Sequence, residues 1–288
     1  MSDDGAPIGF VGLGEMGAAL VQTMLRGGLD VVVYDLSADA VARIVARGAR
    51  PADSLAELAR RCRVVGVCVP ADAHVRAVLD GTDGLLAHLP AGATVAVHST
   101  VLPETVAWAA DAARPHGVAV VEAAVTGGVA MANEGRSTFL LGGDATDFAP
   151  LEPVLDACGE VRIHAGALGQ ASRLKLCINL QSYVTFTGVY EAGMLARRAG
   201  LELDALKTAM EANGQLGFMT RNYMMLLDFT PESVEPEATQ RFLQGYVDIA
   251  DKDLDLIARL GEEAGFPVPT AQFVRGLMRR TYRLETPE

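Results

Sequence analysis

Lys175 stands in a stretch, Gly169 to Ala199, that contains no proline and in which almost every other residue is apolar or small. Between Leu174 and Ala196 the only side chains with a formal charge are Lys175 and Glu191. An ammonium held in apolar surroundings loses hydration, its pKa falls, and it can exchange a proton near neutral pH. Ser172, Lys175, Asn179 and Ser182 follow the 3, 4, 3 spacing that stacks side chains on one helical face, so they form a narrow polar stripe. A lysine near a helix start can also simply snorkel to water, and the stripe alone does not choose between the two.

A second set of residues has the spacing of a phosphate-binding turn. The apolar run Ile8 to Val11 leads directly into Gly12-Leu13-Gly14-Glu15-Met16-Gly17 and then an amphipathic stretch that ends at Gly27-Gly28. In a dinucleotide-binding unit the first glycine permits the tight turn, the second lets a pyrophosphate approach the backbone, and the third lets helix and strand pack closely. The N–H groups at the helix start then face the phosphates. With 30 glycines in the chain, one such pattern is weak evidence, but its context strengthens it. A second apolar run, Val31 to Tyr34, ends in Asp35-Leu36, and Asp35 lies 21 positions after Gly14. A carboxylate at this spacing accepts hydrogen bonds from the adenosine ribose 2′-OH and repels a 2′-phosphate, which favours NAD over NADP. The competing role for Asp35 is that of a turn or helix cap before Ser37.

A third set is Ala124-Val125-Thr126-Gly127-Gly128, where a hydroxyl followed by two glycines leaves backbone N–H groups able to cradle a carboxylate. As a pattern it is also that of an ordinary glycine-rich turn. The histidines, His74, His88, His98, His116 and His164, are dispersed without ligand or nucleophile spacing, so no metal site is expected. His98 reads as a structural residue at a strand end.

Strands and helices must position these groups. Ser37 to Arg47 reads as a helix stopped by Gly48, Ser54 as the cap of another, and Val64 to Val69 as a strand ended by Pro70. Thr94 to His98 runs into Ser99-Thr100 and a helix with Pro103 near its start; Val118 to Ala123, Thr138 to Leu141 and Val161 to His164 follow as strands, with a helix around Phe148 to Ala157. This alternation predicts an α/β fold, a doubly wound parallel sheet with helices on both faces and ligands beyond the carboxyl ends of its strands. Val69, Pro70, Thr100 and Thr126 lie at such ends. Eight of the 13 prolines fall by residue 153 and none occurs between Val154 and Thr230. Beyond about residue 165 only helical periodicity remains, in Leu203 to Ala212, Leu216 to Leu227 and Gly245 to Ala264, with an acidic loop over 229–240. The expected domains are therefore 1–165, a nucleotide-binding sheet, and 166–288, an all-α domain built on the long helix. Gly217 to Tyr223, with Met224 and Met225, is either core or the wall of an apolar pocket.

The 288 residues are half hydrophobic and carry a formal charge of −12, which argues against nucleic acid or an anionic membrane as partner. The cysteines, Cys62, Cys68, Cys158 and Cys177, sit in apolar contexts without metal-ligand spacing and read as reduced core residues. No apolar leader precedes Ile8 and no segment has the roughly 20 uninterrupted apolar residues of a membrane span, so a cytoplasmic location is expected. The apolar helix has more surface than one chain would cover, which suggests a homodimer or homotetramer.

Four segments together resemble the β-hydroxyacid dehydrogenase family, which includes 3-hydroxyisobutyrate dehydrogenases and tartronate semialdehyde reductases. Gly9 to Gly17 is similar to the family's GFxGLGxMG opening, Glu122 to Gly128 to its DAPVSGG signature, Gly169 to Asn179 to its GxGxxxKxxNN segment, and Lys252-Asp253-Leu254 to its KDL element. The resemblance implies a Rossmann-type domain for NAD(P), with Gly12, Leu13, Gly14, Glu15, Met16, Gly17, Asp35, Leu36, Val69, Pro70 and Thr100 at the cofactor. It implies Lys175 as the catalytic acid/base, and Thr126, Gly127, Gly128, Asn179 and Lys252 at a small carboxylate substrate. Departures occur at Glu122 for Asp, Ala124 for Pro, Thr126 for Ser, Ala171 for Gly and Ile178 for Asn. Hydride transfer between nicotinamide and a β-hydroxy acid is the implied reaction. Reductases of short aldehyde acids, imine reductases and a catalytically silent NAD-binding module are the alternatives, the last two disfavoured by retention of Lys175.

Overall fold

The computed structural model describes residues 5–285. The chain divides into two compact units, the first extending through Lys175 and the second beginning at Leu176. The first contains β1 (Ile8–Val11), α1 (Glu15–Arg26), β2 (Val31–Tyr34), α2 (Ala38–Val45), β3 (Arg50–Pro51), α3 (Leu55–Arg61), β4 (Val64–Val67) and α4 (Asp72–Asp80). It continues with β5 (Thr94–Val97), α5 (Pro103–Ala113), β6 (Ala119–Thr126), α6 (Gly128–Asn133), β7 (Ser137–Gly142), α7 (Glu152–Cys158) and β8 (Gly159–Gly166). The strands form one sheet in the order β3-β2-β1-β4-β5-β6-β7-β8.

The sheet is the Rossmann-type arrangement that the alternation predicts. Both faces are covered, so its strands read as continuous apolar runs whose successive residues enter opposite cores. Val31 and Val33 join Phe10, Leu20, Met24, Ile44 and Phe139 on one face, while Val32 joins Leu58, Val65, Val67, Val95 and Val97 on the other. Helix starts follow the expected chemistry: the Ser37 and Ser54 hydroxyls accept from Ala40 N–H at 3.2 Å and Glu57 N–H at 3.1 Å.

Some expectations are corrected. The sheet is not wholly parallel, because β7 pairs antiparallel with β6, placing Thr126 opposite Thr138 and Glu122 opposite Gly142. The connection through α6 is too short for a parallel crossover, which needs about a dozen residues or more. That pairing also keeps Ala124 to Thr126 in the strand rather than in a turn. The short β3 and α4 had no expectation in the sequence. Cys177 is exposed rather than buried, because it lies on the solvent side of its helix.

His98 is a buried polar group at the end of β5, 4% exposed and stacked on Phe10 with centroids 5.6 Å apart. Its Nδ1–H donates to Ala123 O at 2.7 Å. Burial pushes the imidazole down to about 4, so it is neutral in the folded chain at neutral pH. Above its ordinary value of about 6.5 neither folded nor unfolded chain binds the proton. Between there and about 4 only the unfolded chain binds it, and stability falls with pH by up to about 1.4 kcal/mol per unit. Urea midpoints of wild type and His98→Gln at pH 7.5 and 5 test this: the variant should lose that part of the acid sensitivity, and an equal fall in both proteins would count against it.

The second unit has only helices among its described residues. α8 (Gln170–Arg198) begins in the first unit and continues into the second, followed by α9 (Leu203–Ala212), α10 (Phe218–Met224), α11 (Pro231–Val234), α12 (Glu237–Glu263), α13 (Pro269–Arg275) and α14 (Met278–Thr281). α12 begins eight residues ahead of the expected Gly245, since Pro236 and Glu237 form a helix start rather than loop. The helical stretch expected over Leu216 to Leu227 breaks into α10 and a 3-10 turn from Met225 to Asp228. Tyr190, Leu243, Val247 and Met278 fill the core, beside stacked Phe186 and Tyr223 rings 4.7 Å apart.

Candidate active site

In the first unit, β1 delivers the chain into the glycine turn. Gly12 has φ of +95°, and a Cβ there would lie 2.2 Å from the Cys68 carbonyl oxygen. At Gly17 a Cβ would lie 2.1 Å from the Gly12 carbonyl oxygen, so the helix can approach the turn only as glycine. Gly14 instead faces open space, with no atom within 4 Å of an added Cβ. No side chain caps the first turn of α1, whose N–H groups can serve an anion. A backbone surface left bare at Gly14 beside an uncapped helix start fits a pyrophosphate.

Asp35 fills the turn role weighed in the sequence. Its Oδ2 accepts from Leu13 N–H at 2.6 Å and its Oδ1 from Ser37 N–H at 2.7 Å. The carboxylate thereby braces the glycine turn and the start of the β2–α2 loop, and each oxygen keeps acceptor capacity for a ribose hydroxyl. Leu36 beside it is 91% exposed, an apolar surface next to that acceptor. The strand order reverses direction between β1 and β4, where open α/β sheets bind ligands. Val69 N–H donates to Ser99 Oγ at 2.8 Å, tying the end of β4 to that of β5; Pro70 is exposed there and Thr100 half-buried.

At the end of β6 Thr126 is half-buried, and Gly127 and Gly128 follow with φ of +111° and +77°. Two successive positive φ values are a backbone conformation open to glycine and strained for other residues, so both positions need glycine. Lys175, half-buried, lies in the second turn of α8. Ser172, one turn earlier on the same face, is buried and bonded to Glu122, so the polar stripe has an anchored end.

In the second unit the stripe continues with Asn179, whose Nδ2 donates to Asp253 Oδ2 at 2.7 Å. Asp253 is 2% exposed and also accepts from the Tyr183 hydroxyl at 2.9 Å, while Lys252 Nζ lies 2.8 Å from its Oδ1. Burial, then the charge of Asp253, pushes the Tyr183 phenol well above its usual range, so it remains a donor. Asp253 thus fixes Asn179 and Lys252, two expected substrate residues, around one carboxylate. Sequence reasoning passed over Asp253, Tyr183 and Glu122. The first sits in the Lys252-Asp253-Leu254 element, and the last was noted only as a departure from Asp.

Among the described residues no group of His, Cys, Asp and Glu could hold a metal ion, and no helix is long and apolar enough to cross a membrane.

Two family models match the chain. The NAD binding domain of 6-phosphogluconate dehydrogenase matches residues 7–169, and the NAD-binding domain of NADP-dependent 3-hydroxyisobutyrate dehydrogenase matches residues 169–287. A 3-hydroxyisobutyrate dehydrogenase of Pseudomonas aeruginosa is 32% identical over 271 residues, spanning 94% of this chain and 90% of that protein. An NAD-dependent L-serine dehydrogenase of the same organism is 37% identical over 203 residues, 70% of this chain and 68% of that protein. A crystal structure of 3-hydroxyisobutyrate dehydrogenase from Salmonella typhimurium superposes with a TM-score of 0.81 at 30% identity, covering 96% of this chain and 93% of that one. With its glycine turn, its sheet and these matches over nearly its whole length, the chain belongs to the β-hydroxyacid dehydrogenase family of NAD(P)-dependent oxidoreductases acting on CH–OH groups.

Proposed function

We propose that the chain interconverts a short β-hydroxy acid of the 3-hydroxyisobutyrate kind and its carbonyl partner, with Lys175 as general acid/base and NAD as the preferred cofactor. The observation that supports this most is the pairing, within one unit, of the left-handed Gly127-Gly128 turn with a half-buried lysine in the second turn of α8. A carboxylate bound by Thr126, Gly127 and Gly128 would fix one end of such a substrate. The nicotinamide, when bound, supplies the acceptor or donor of hydride. Lys175 Nζ takes the hydroxyl proton in oxidation and returns it to the carbonyl oxygen in reduction. Asn179 and Lys252, both held by Asp253, orient the substrate. Gly12 to Gly17 would hold the pyrophosphate, Asp35 and Leu36 the adenosine, and Val69, Pro70 and Thr100 the nicotinamide half.

The preference for NAD rests on Asp35, whose charge opposes a 2′-phosphate. We assign residues 1–165 to cofactor binding and 166–288 to substrate binding and self-association. A second copy would cover Leu195, Leu201, Phe266 and Phe273, which are 60–74% exposed. A cytoplasmic location accords with the buried Cys62 and Cys158 thiols, pushed up to about 12 by burial and so held protonated.

One panel tests these assignments: NADH or NADPH absorbance on mixing the protein with 3-hydroxyisobutyrate, L-serine, L-threonate and glycerate. At least one acid should be oxidised with NAD, and kcat/KM should be at least about ten times lower with NADP, because a 2′-phosphate placed against the Asp35 carboxylate is a like-charge contact. Silence with every acid would defeat the catalytic reading, and equal use of NADP would defeat the cofactor preference. The mass of the same sample by sedimentation gives the subunit count.

A further inference from the structure

Glu122 is a carboxylate inside the sheet, 1% exposed. Its Oε2 accepts from Gly169 N–H at 2.5 Å, and its Oε1 accepts from Ser172 N–H at 2.8 Å and the Ser172 hydroxyl at 2.5 Å. A buried carboxylate is costly unless donors replace its hydration. Here two of the three donors are backbone N–H groups at the start of α8, Gly169 just ahead of it and Ser172 in its first turn, which have no partner within the helix, and the positive end of the helix favours the charge. The opposing residue on β7 is Gly142, where a Cβ would lie 2.1 Å from Glu122 Oε2 and 3.2 Å from Ala171 Cβ. A glycine therefore stands where the carboxylate crosses from strand to helix.

What this side chain connects gives it significance. Along β6, Glu122 precedes Thr126 by four residues, and along α8, Ser172 precedes Lys175 by three. We propose that Glu122 is a positioning residue, which locks the first turn of α8 to β6 and so sets the place of Lys175 relative to the Thr126 to Gly128 cradle. This rests on the reading of Lys175 and the cradle as the reacting site. Displacement of a catalytic group by about 1 Å can cost on the order of 10²-fold in rate, so a loosened helix start acts on kcat while the glycine turn still binds NAD.

The test compares wild type, Glu122→Gln, Gly142→Ala, Glu122→Asp, the Glu122→Asp/Gly142→Ala pair and Lys175→Ala, using NAD and 3-hydroxyisobutyrate. Glu122→Gln presents an amide NH2 to an N–H donor and should lower kcat by about 30- to 100-fold, with KM for NAD within about threefold. Gly142→Ala pushes the carboxylate off its donors and should act similarly. The shorter aspartate withdraws from residue 142, so the double variant should recover at least about fivefold over Gly142→Ala alone. Amide hydrogen exchange at Gly169 and Ser172, which needs no substrate, should quicken in Gly142→Ala and slow again in the pair. An unchanged kcat in Glu122→Gln, or equal damage from Gly142→Ala in both backgrounds with exchange unaltered, would overturn the proposal. Failure of the underlying reading shows separately, as near-normal turnover in Lys175→Ala while the exchange changes persist. If Glu122→Gln does not fold, the Gly142→Ala comparison and its exchange decide alone.

Discussion

Lys175→Ala is expected to lower turnover by about two to four orders of magnitude while NAD binding, followed by fluorescence quenching or calorimetry, stays within about twofold. The size follows from the task, since a positioned proton donor or acceptor typically contributes that range. The side chain is half-buried in the second turn of α8, whereas the expected nucleotide turn is built from Gly12 to Gly17 on β1 and α1. The two functions are therefore separable by substitution. Lys175→Arg distinguishes proton transfer from mere charge. A guanidinium keeps the charge but does not release its proton near neutral pH, so the arginine variant should be nearly as inactive as the alanine one. Activity in the arginine variant close to wild type would reduce Lys175 to an electrostatic anchor, and activity in both would remove it from the mechanism.

Gly12→Ala is expected to be the most damaging single-methyl change in the first unit. A side chain there must adopt φ of +95° and overlap the Cys68 carbonyl, 2.2 Å from the new carbon. The obstacle is backbone, which cannot swing aside as a side-chain end can. Left-handed strain of about 1–3 kcal/mol adds to the clash, so a loss of about 3 kcal/mol or more follows, with a fall in Tm of about 6–12 °C. Gly14→Ala provides the contrast. Nothing lies within 4 Å of its added carbon and its φ of −61° suits any residue, so the fold should tolerate it. NAD affinity should nonetheless drop, because the methyl stands on the surface a pyrophosphate needs. Scanning calorimetry and NAD titration of both variants separate the two effects; equal stability of Gly12→Ala and wild type would contradict the geometry.

Much of the molecule was legible from local pattern. Val31 to Tyr34 and Val64 to Val67 are strands because β-branched runs fit a sheet buried on both faces, and Ser37 and Ser54 cap helices because their hydroxyls reach free N–H groups three residues on. The glycine turn could be read because Gly12 and Gly17 each answer a separate steric demand, of the turn and of the helix packed on it. The antiparallel β7 could not be seen in the Thr138 to Leu141 run, since direction depends on the length and path of the connection rather than on strand composition. The helical stripe of Ser172, Lys175 and Asn179 was visible as spacing, but not what would meet it.

By itself the sequence determined the alternation of strands and helices, the glycine turn after β1, Asp35 at the end of β2, and one lysine on a mostly apolar helix. Periodicity, capping and glycine sterics act over a few residues and therefore leave local marks. Only the tertiary structure decided that Glu122 secures the start of α8 from 47 and 50 positions away, and that Asp253 gathers Asn179 and Tyr183 across 74 and 70. A buried carboxylate takes whichever donors the fold brings to it, and that choice is made by packing between elements distant in the chain.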